Sequence, residues 1–192
     1  MRILLGITGS VAAVLTPKLV AGLLAANHEV KIVATTPALY FLKTPPFDVD
    51  NLTLNLAEKK VEVYIDKYEW PAGGYHKDDP VRHIEFRDWA DIFLIAPLSA
   101  NTLAKITHGL ADNFLSCIAR AWPKHKPFVI APAMNTEMWT NDITYQQITE
   151  IKKRYHGFYL IHPIKKKLAC GDNGMGAMAE IKTIIDTVAK IK

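Results

Sequence analysis

The chain has 192 residues, 49% hydrophobic and 22% charged, with two cysteines and a formal net charge of +4. This describes one globular domain with ample core, and it excludes a disulfide scaffold; every apolar run is short and broken by Lys or Pro, which argues against a membrane-spanning helix. The basic residues are spread along the chain without a basic-aromatic repeat, a pattern that suits a small anionic ligand better than nucleic acid. Met1-Arg2-Ile3 runs into a strand pattern rather than a signal peptide, so a cytoplasmic, reducing location is expected, and Cys117 and Cys170 lie too far apart for a redox or zinc motif.

Residues 2–7 read as a buried strand that turns through Thr8-Gly9-Ser10 into an apolar helical stretch over 11–26. Pro17 inside that stretch implies either a helix starting near Thr16 or a loop before it. A second strand is expected over 28–34, a short helix from Thr35-Thr36-Pro37 to Phe41, and a third strand over 61–64, with 43–55 carrying only a weak pattern. Residues 67–79, which include Pro71-Ala72-Gly73-Gly74, read as a surface loop, and Asp79-Pro80 as a helix start with Asp as N-cap and Pro in the first helical position. A strand over 91–96 ends in Ala96-Pro97, and helical patterns follow over 103–108 and 112–122. Another strand, from Phe128, ends the same way in Ala131-Pro132; a helix over 142–155, a strand over 158–161, a Gly-rich loop over 163–178 and a last helix to Ile191 complete the chain. Strand and helix alternate throughout, which predicts a single α/β domain over 1–192: a three-layer, Rossmann-like or flavodoxin-like parallel sheet with helices on both faces.

In such a sheet ligands bind beyond the carboxyl ends of the strands, so the turns after them hold the candidate residues. Gly9, Ser10 and Val11 form a strand-to-helix turn whose backbone N–H groups can hold a phosphate, although the turn is neither GxGxxG nor a P-loop and serves equally as a tight structural turn. The second strand ends in Ala34-Thr35-Thr36, where a nicotinamide dinucleotide would want an acidic residue for its ribose; the hydroxyls favour a mononucleotide, FMN, over NAD. Ser99, Ala100, Asn101 and Thr102 open a helix and read as caps, as a phosphate site, or both. Asn135 stands at the mouth of the expected pocket, and reads otherwise as an ordinary turn residue. His83 falls at the fourth position of the helix expected from Asp79-Pro80, where an imidazole can accept a proton; a plain surface or core histidine is the alternative. Cys117, inside an apolar helix, is expected to be buried and inert.

Pro97 to Thr102 and Pro132 to Trp139 resemble the two signature stretches of the homo-oligomeric flavin-containing cysteine decarboxylases. Asp79-Pro80-Val81-Arg82-His83-Ile84-Glu85 is similar to the region carrying that family's catalytic histidine, and Ala169-Cys170-Gly171-Asp172 with Gly176-Ala177-Met178 to its substrate flap. The resemblance implies FMN held by Gly9, Ser10, Val11, Thr35, Thr36, Ser99, Ala100, Asn101, Thr102 and Ala133, with no metal. It also implies a homotrimer with the cofactor at a subunit interface, His83 as base, and Asn135 on the substrate carboxylate. A mobile flap at about 163–179 would bring Lys167, Ala169 and Met178 over the substrate and Cys170 as proton donor. The implied reaction is decarboxylation of phosphopantothenoylcysteine, a phosphorylated cysteine conjugate, in coenzyme A biosynthesis: oxidation to a thioaldehyde, loss of CO2 as an enethiolate, and re-reduction. No side chain is an adequate electron sink for that carbanion, so a cofactor is required. A peptidyl-cysteine decarboxylase that stops at the enethiol is an alternative. Two others are a phosphatase-regulatory homologue, whose usual acidic extensions are not seen here, and a flavin prenyltransferase, against which Pro132-Ala133-Met134-Asn135 speaks.

Overall fold

A computed structural model describes residues 1–57, 59–167, 171 and 173–191. In chain order its elements are β1 (Arg2–Ile7), a 3-10 turn (Val11–Leu15), α1 (Thr16–Ala25), β2 (Glu29–Ala34), α2 (Thr36–Leu42), β3 (Phe47–Asp48), β4 (Thr53–Asn55), β5 (Lys60–Tyr64), α3 (Asp66–Glu69) and α4 (Arg82–Trp89). Then follow β6 (Ile92–Leu98), α5 (Ala100–His108), α6 (Phe114–Ala121), β7 (Phe128–Pro132), α7 (Thr136–Thr140), α8 (Asp142–Arg154), β8 (Phe158–Leu160), β9 (Ile164–Lys167), β10 (Asn173–Ala177) and α9 (Ile181–Ala189).

The main sheet runs β3-β4-β5-β2-β1-β6-β7-β8. From β5 to β8 all pairings are parallel, in the order of a doubly wound sheet whose direction of winding reverses between β1 and β6. The expected parallel sheet is therefore extended on one side by β3 and β4, which pair antiparallel with each other and with β5. These two short strands occupy the stretch whose sequence pattern was weak.

Side chains on β1 alternate between two apolar layers, as a sheet covered on both faces requires. Ile3, Leu5 and Ile7 pack with Leu19, Leu23, Ile184 and Val188 of α1 and α9, whereas Leu4 packs with Phe93, Leu115 and Ile118 on the side of α6. Each such fully buried aliphatic contributes about 1.5–3 kcal/mol. Two glycines allow the layers to close. A Cβ on Gly6 would stand 3.0 Å from the Leu115 side chain, and one on Gly22 of α1 would collide with Ile185 of α9.

Pro17 sits in the first turn of α1, which starts at Thr16 as one of the two expected arrangements has it; the 3-10 turn capped by Ser10 leads in. The Asp79-Pro80 helix start is overturned. Helix α4 begins at Arg82 after an extended Val81, and the Asp79 carboxylate accepts from the His76 N–H at 2.7 Å, closing a turn of its own. His83 is thus the second helical residue. The other end of α4 is held by Lys126, whose ammonium donates to the carbonyls of Arg87 and Ala90 at 3.0 and 2.8 Å. The expected loop over 67–79 begins inside the one-turn helix α3. The expected Gly-rich loop over 163–178 contains an antiparallel hairpin, β9 paired with β10. Gly174 and Gly176 are there for close approach to the turn after β7, whereas Gly171, with φ +94° and nothing near it among the described residues, serves the backbone conformation alone.

Candidate active site

The reversal point between β1 and β6 is pinned by one buried side chain. Thr8 Oγ1 donates to the Pro97 carbonyl at 2.8 Å and accepts from the Ser99 N–H at 2.7 Å, locking together the turns that leave the two strands. Ser99 then caps α5, its hydroxyl accepting from the Thr102 N–H at 3.3 Å, and Gly109 closes the far end of that helix in the left-handed conformation. Thr8 was not singled out from the sequence, because a threonine after a strand carries no signal until the partner turn is placed beside it.

A cleft of about 130 Å³ opens at this point, lined by Gly9, Thr35, Pro37, Ser99, Asn101, Thr102, Lys105 and Asn113. Gly9 admits α2 closely, since a Cβ there would stand 2.7 Å from Pro37 Cβ. The Thr35 hydroxyl is buried in the cleft wall and has no hydrogen-bond partner among the described residues. A buried, unpaired hydroxyl beside a helix start is a poor structural device and a good ligand contact. Those residues fit a phosphate-bearing group such as that of FMN. Thr36 is turned elsewhere: its hydroxyl donates to Asp66 Oδ2 at 3.3 Å and lines neither this cleft nor the next. Ala100, the first residue of α5, lines neither as well.

A second cleft, of about 260 Å³, gathers Ser10, Val11, Ala133, Met134, Asn135, Lys166, Lys167 and Met178 around one space. Asn135 caps α7, its Oδ1 accepting from the Glu137 N–H at 2.8 Å, which fixes the plane of the amide. The hairpin lies directly on this turn: Met134 N–H donates to the Gly176 carbonyl at 2.9 Å. A Cβ on Gly176, whose φ is +135°, would run into the Met134 carbonyl, and one on Gly174 would run into the Thr136 side chain. Lys166 and Lys167 of β9 bring positive charge to the rim, a donor set suited to an anionic ligand. Ala169 and Cys170, both singled out from the sequence, lie outside the described residues.

His83 lines neither cleft. Its ring is 24% exposed and is gripped by a residue that the sequence did not point to: Glu69, at the end of α3, with a side chain only 7% exposed. Glu69 Oε1 lies 2.5 Å from His83 Nδ1, and Oε2 accepts from the His83 backbone N–H at 2.9 Å. Glu69, but not His83, lines a cavity of about 530 Å³ walled by residues between 68 and 82, in which Trp70, Tyr75 and Val81 are exposed. Cys117 corrects an expectation in part. It is half-buried rather than buried, but its Sγ donates to the Ala111 carbonyl, and burial pushes the thiol up to about 11, in keeping with an inert residue. Among the described residues, no group of three or more His, Cys, Asp or Glu side chains is placed to hold a metal ion, and no helix is long and apolar enough to cross a membrane.

A doubly wound sheet with a phosphate-sized cleft at its reversal point, beside a second cleft under a cationic hairpin, defines a nucleotide-cofactor-binding α/β protein. The chain belongs to the Flavoprotein family, whose profile matches residues 1–191, and the resemblance drawn from its signature stretches is borne out by its relatives. It is similar to the phosphopantothenoylcysteine decarboxylase of Mus musculus, 44% identical over 99% of this chain and 86% of the relative. A probable phosphopantothenoylcysteine decarboxylase of Arabidopsis thaliana is 48% identical over 97% of this chain and 86% of the relative. Among solved structures, a PPC decarboxylase mutant complexed with pantothenoylaminoethenethiol superposes with a TM-score of 0.85 at 45% identity, over 98% of this chain and 96% of that one. The FMN binding protein AtHal3 gives 0.82 at 46% identity, over 98% and 94%.

Proposed function

We propose that this chain is an FMN-dependent decarboxylase that converts phosphopantothenoylcysteine to phosphopantetheine in coenzyme A biosynthesis, working in the cytoplasm as a homotrimer. The observation that carries the reading is the second cleft, where the turn of the first strand, Asn135 and the hairpin lysines border one space. FMN, when bound, supplies the electron sink that takes up electrons from the cysteinyl unit and returns them after CO2 has left.

The chain's own residues do the rest. Gly9, Ser10, Val11, Thr35, Ser99, Asn101, Thr102 and Ala133 hold the cofactor, with Thr35 Oγ1 finding there the partner it otherwise lacks. Asn135 orients the substrate carboxylate by donating from its amide, which holds the group without neutralising it as a salt bridge would. Lys167 and Met178, with Ala169, close over the substrate as a flap. His83 Nε2 takes the proton released as the cysteinyl unit is oxidised, and Cys170 gives a proton back in the second half of the reaction. The resemblance implies a cofactor at a subunit interface with His83 reaching the one bound by a neighbour, and His83, which borders neither cleft of its own chain, is compatible with that assignment.

The test is CO2 release from phosphopantothenoylcysteine measured beside a cysteine-terminated peptide. Turnover of the first to phosphopantetheine supports the reading, and activity confined to the peptide, ending at an enethiol, overturns it. Cys170→Ser is expected to release CO2 once and then stall with the cofactor reduced. His83→Asn should lose about 100-fold or more in rate while keeping FMN, and activity within about tenfold of wild type would remove His83 from the base role. Light scattering that gave an active monomer would remove the trimer.

A further inference from the structure

We propose that Glu69 is a positioning residue for His83, fixing both the rotation and the tautomer of the imidazole so that Nε2 is the atom offered for proton transfer. This rests on the reading of His83 as the base. The two oxygens of one carboxylate are divided between two groups of one residue, with Oε1 on the ring Nδ1 at 2.5 Å and Oε2 on the backbone N–H at 2.9 Å. An ionised carboxylate only accepts, so the proton between Oε1 and the ring sits on Nδ1, and Nε2 is left with its lone pair. The second contact removes the remaining freedom. Because Oε2 is tied to the main chain at the start of α4, the carboxylate cannot follow the ring if it swings, and the imidazole is held against a fixed acceptor. Glu69 is itself confined, its side chain only 7% exposed at the end of α3.

The competing role for Glu69 is purely structural, since one of the first N–H groups of any helix needs an acceptor and Oε2 supplies one. The two roles separate on substitution by glutamine. A carboxamide has one accepting oxygen and one donating NH2, so it can serve the backbone N–H or Nδ1–H but not both. If it keeps the helix contact, it presents NH2 to the ring and drives the proton to Nε2, which removes the acceptor that catalysis needs. A mistuned tautomer with intact geometry is known to be costly in enzymes that use a histidine base.

The experiment uses the FMN-loaded protein. Nitrogen-resolved NMR of the imidazole in the wild-type enzyme should find the proton on Nδ1, and in Glu69→Gln on Nε2. Steady-state kinetics on Glu69→Gln should lose about tenfold or more in kcat with KM within about threefold and FMN content unchanged, and Glu69→Asp should recover part of the loss. A wild-type ring protonated on Nε2 overturns the proposal without any variant, so a Glu69→Gln protein that fails to fold does not shield it. A Glu69→Gln enzyme with wild-type kcat, beside an inactive His83→Asn, overturns the positioning role and leaves the base in place. Full activity in His83→Asn overturns the base reading itself.

Discussion

Two buried threonines at the carboxyl edge of the sheet stand at the ends of neighbouring strands, and they are used in opposite ways. Thr8, after β1, has its hydroxyl engaged twice, by the Pro97 carbonyl and the Ser99 N–H. Thr35, after β2, is also hidden from water and its hydroxyl has no partner among the described residues. The first holds the frame together; the second is a polar atom that the fold leaves unsatisfied in the wall of the cleft, where we propose that the cofactor completes it. An unpaired hydroxyl does not mark a site by itself, since Thr16 and Thr53 are buried and unpaired as well; Thr35 is set apart because it also lines the cleft.

The contrast is broken or sharpened by making the same change at both positions. Thr8→Val should cost about 2–4 kcal/mol in urea denaturation of the cofactor-free protein, because two buried backbone groups lose their partner at once. Gly176→Ala should disturb neither threonine; it forces the hairpin off the Met134 carbonyl, raising KM about tenfold or more while FMN affinity stays within about twofold, with faster hydrogen exchange at the Met134 amide as the direct check. Thr35→Val should reverse the sign seen at Thr8. The cofactor-free protein should be unchanged or more stable by up to about 1 kcal/mol, while FMN binds about tenfold more weakly by titration. A Thr35→Val protein that lost stability and kept its FMN affinity would erase the distinction.

The smallest effect lies at the opposite edge, where Arg2 donates to Asp91 Oδ1 at 2.7 Å and its backbone N–H to Oδ2 at 2.8 Å. The hydrogen bond from Arg2 holds the Asp91 carboxyl below the usual range. That contribution is present above the unfolded value of about 3.9 and is lost as pH falls through the depressed one. Asp91→Asn should therefore melt slightly lower than wild type at neutral pH, and the gap should close in acid. A gap that widened in acid would contradict the assignment.

The alternation of strand and helix made the layers legible, and the two Ala-Pro strand ends with their Asn-bearing turns located the site edge, because both signals are local. What escaped was set mostly by partners or lengths that carry no periodic signal. Glu69 stands 14 residues from His83, in a stretch whose prolines, glycines and charges read as a loop, so no helical or strand period connects them. The α4 start was misplaced because Asp79-Pro80 carries the right local signal while the Asp79 carboxylate is taken by the His76 N–H. Glycines over 171–176 suggested a loop because spacing does not reveal that Gly174 and Gly176 lie against Thr136 and Met134. The antiparallel edge strands β3 and β4, of two and three residues, are too short to carry a period at all.

Helix α4 packs through Phe86 and Trp89 into the layer that holds Tyr64 and Phe114, and it is also gripped at its two extremities, by the Glu69 carboxylate at one and the Lys126 ammonium at the other. A rod secured that way has its angular setting fixed by its ends as well as by its aromatic contact with the core. Near the far end the exposed Asp88, paired with Arg87 at 2.8 Å, also feels the Lys126 ammonium that holds the helix there. The consequence is that a change of charge at Asp88 is felt first by Lys126 and the carbonyls it holds, and only through the length of the helix by the imidazole at the other end.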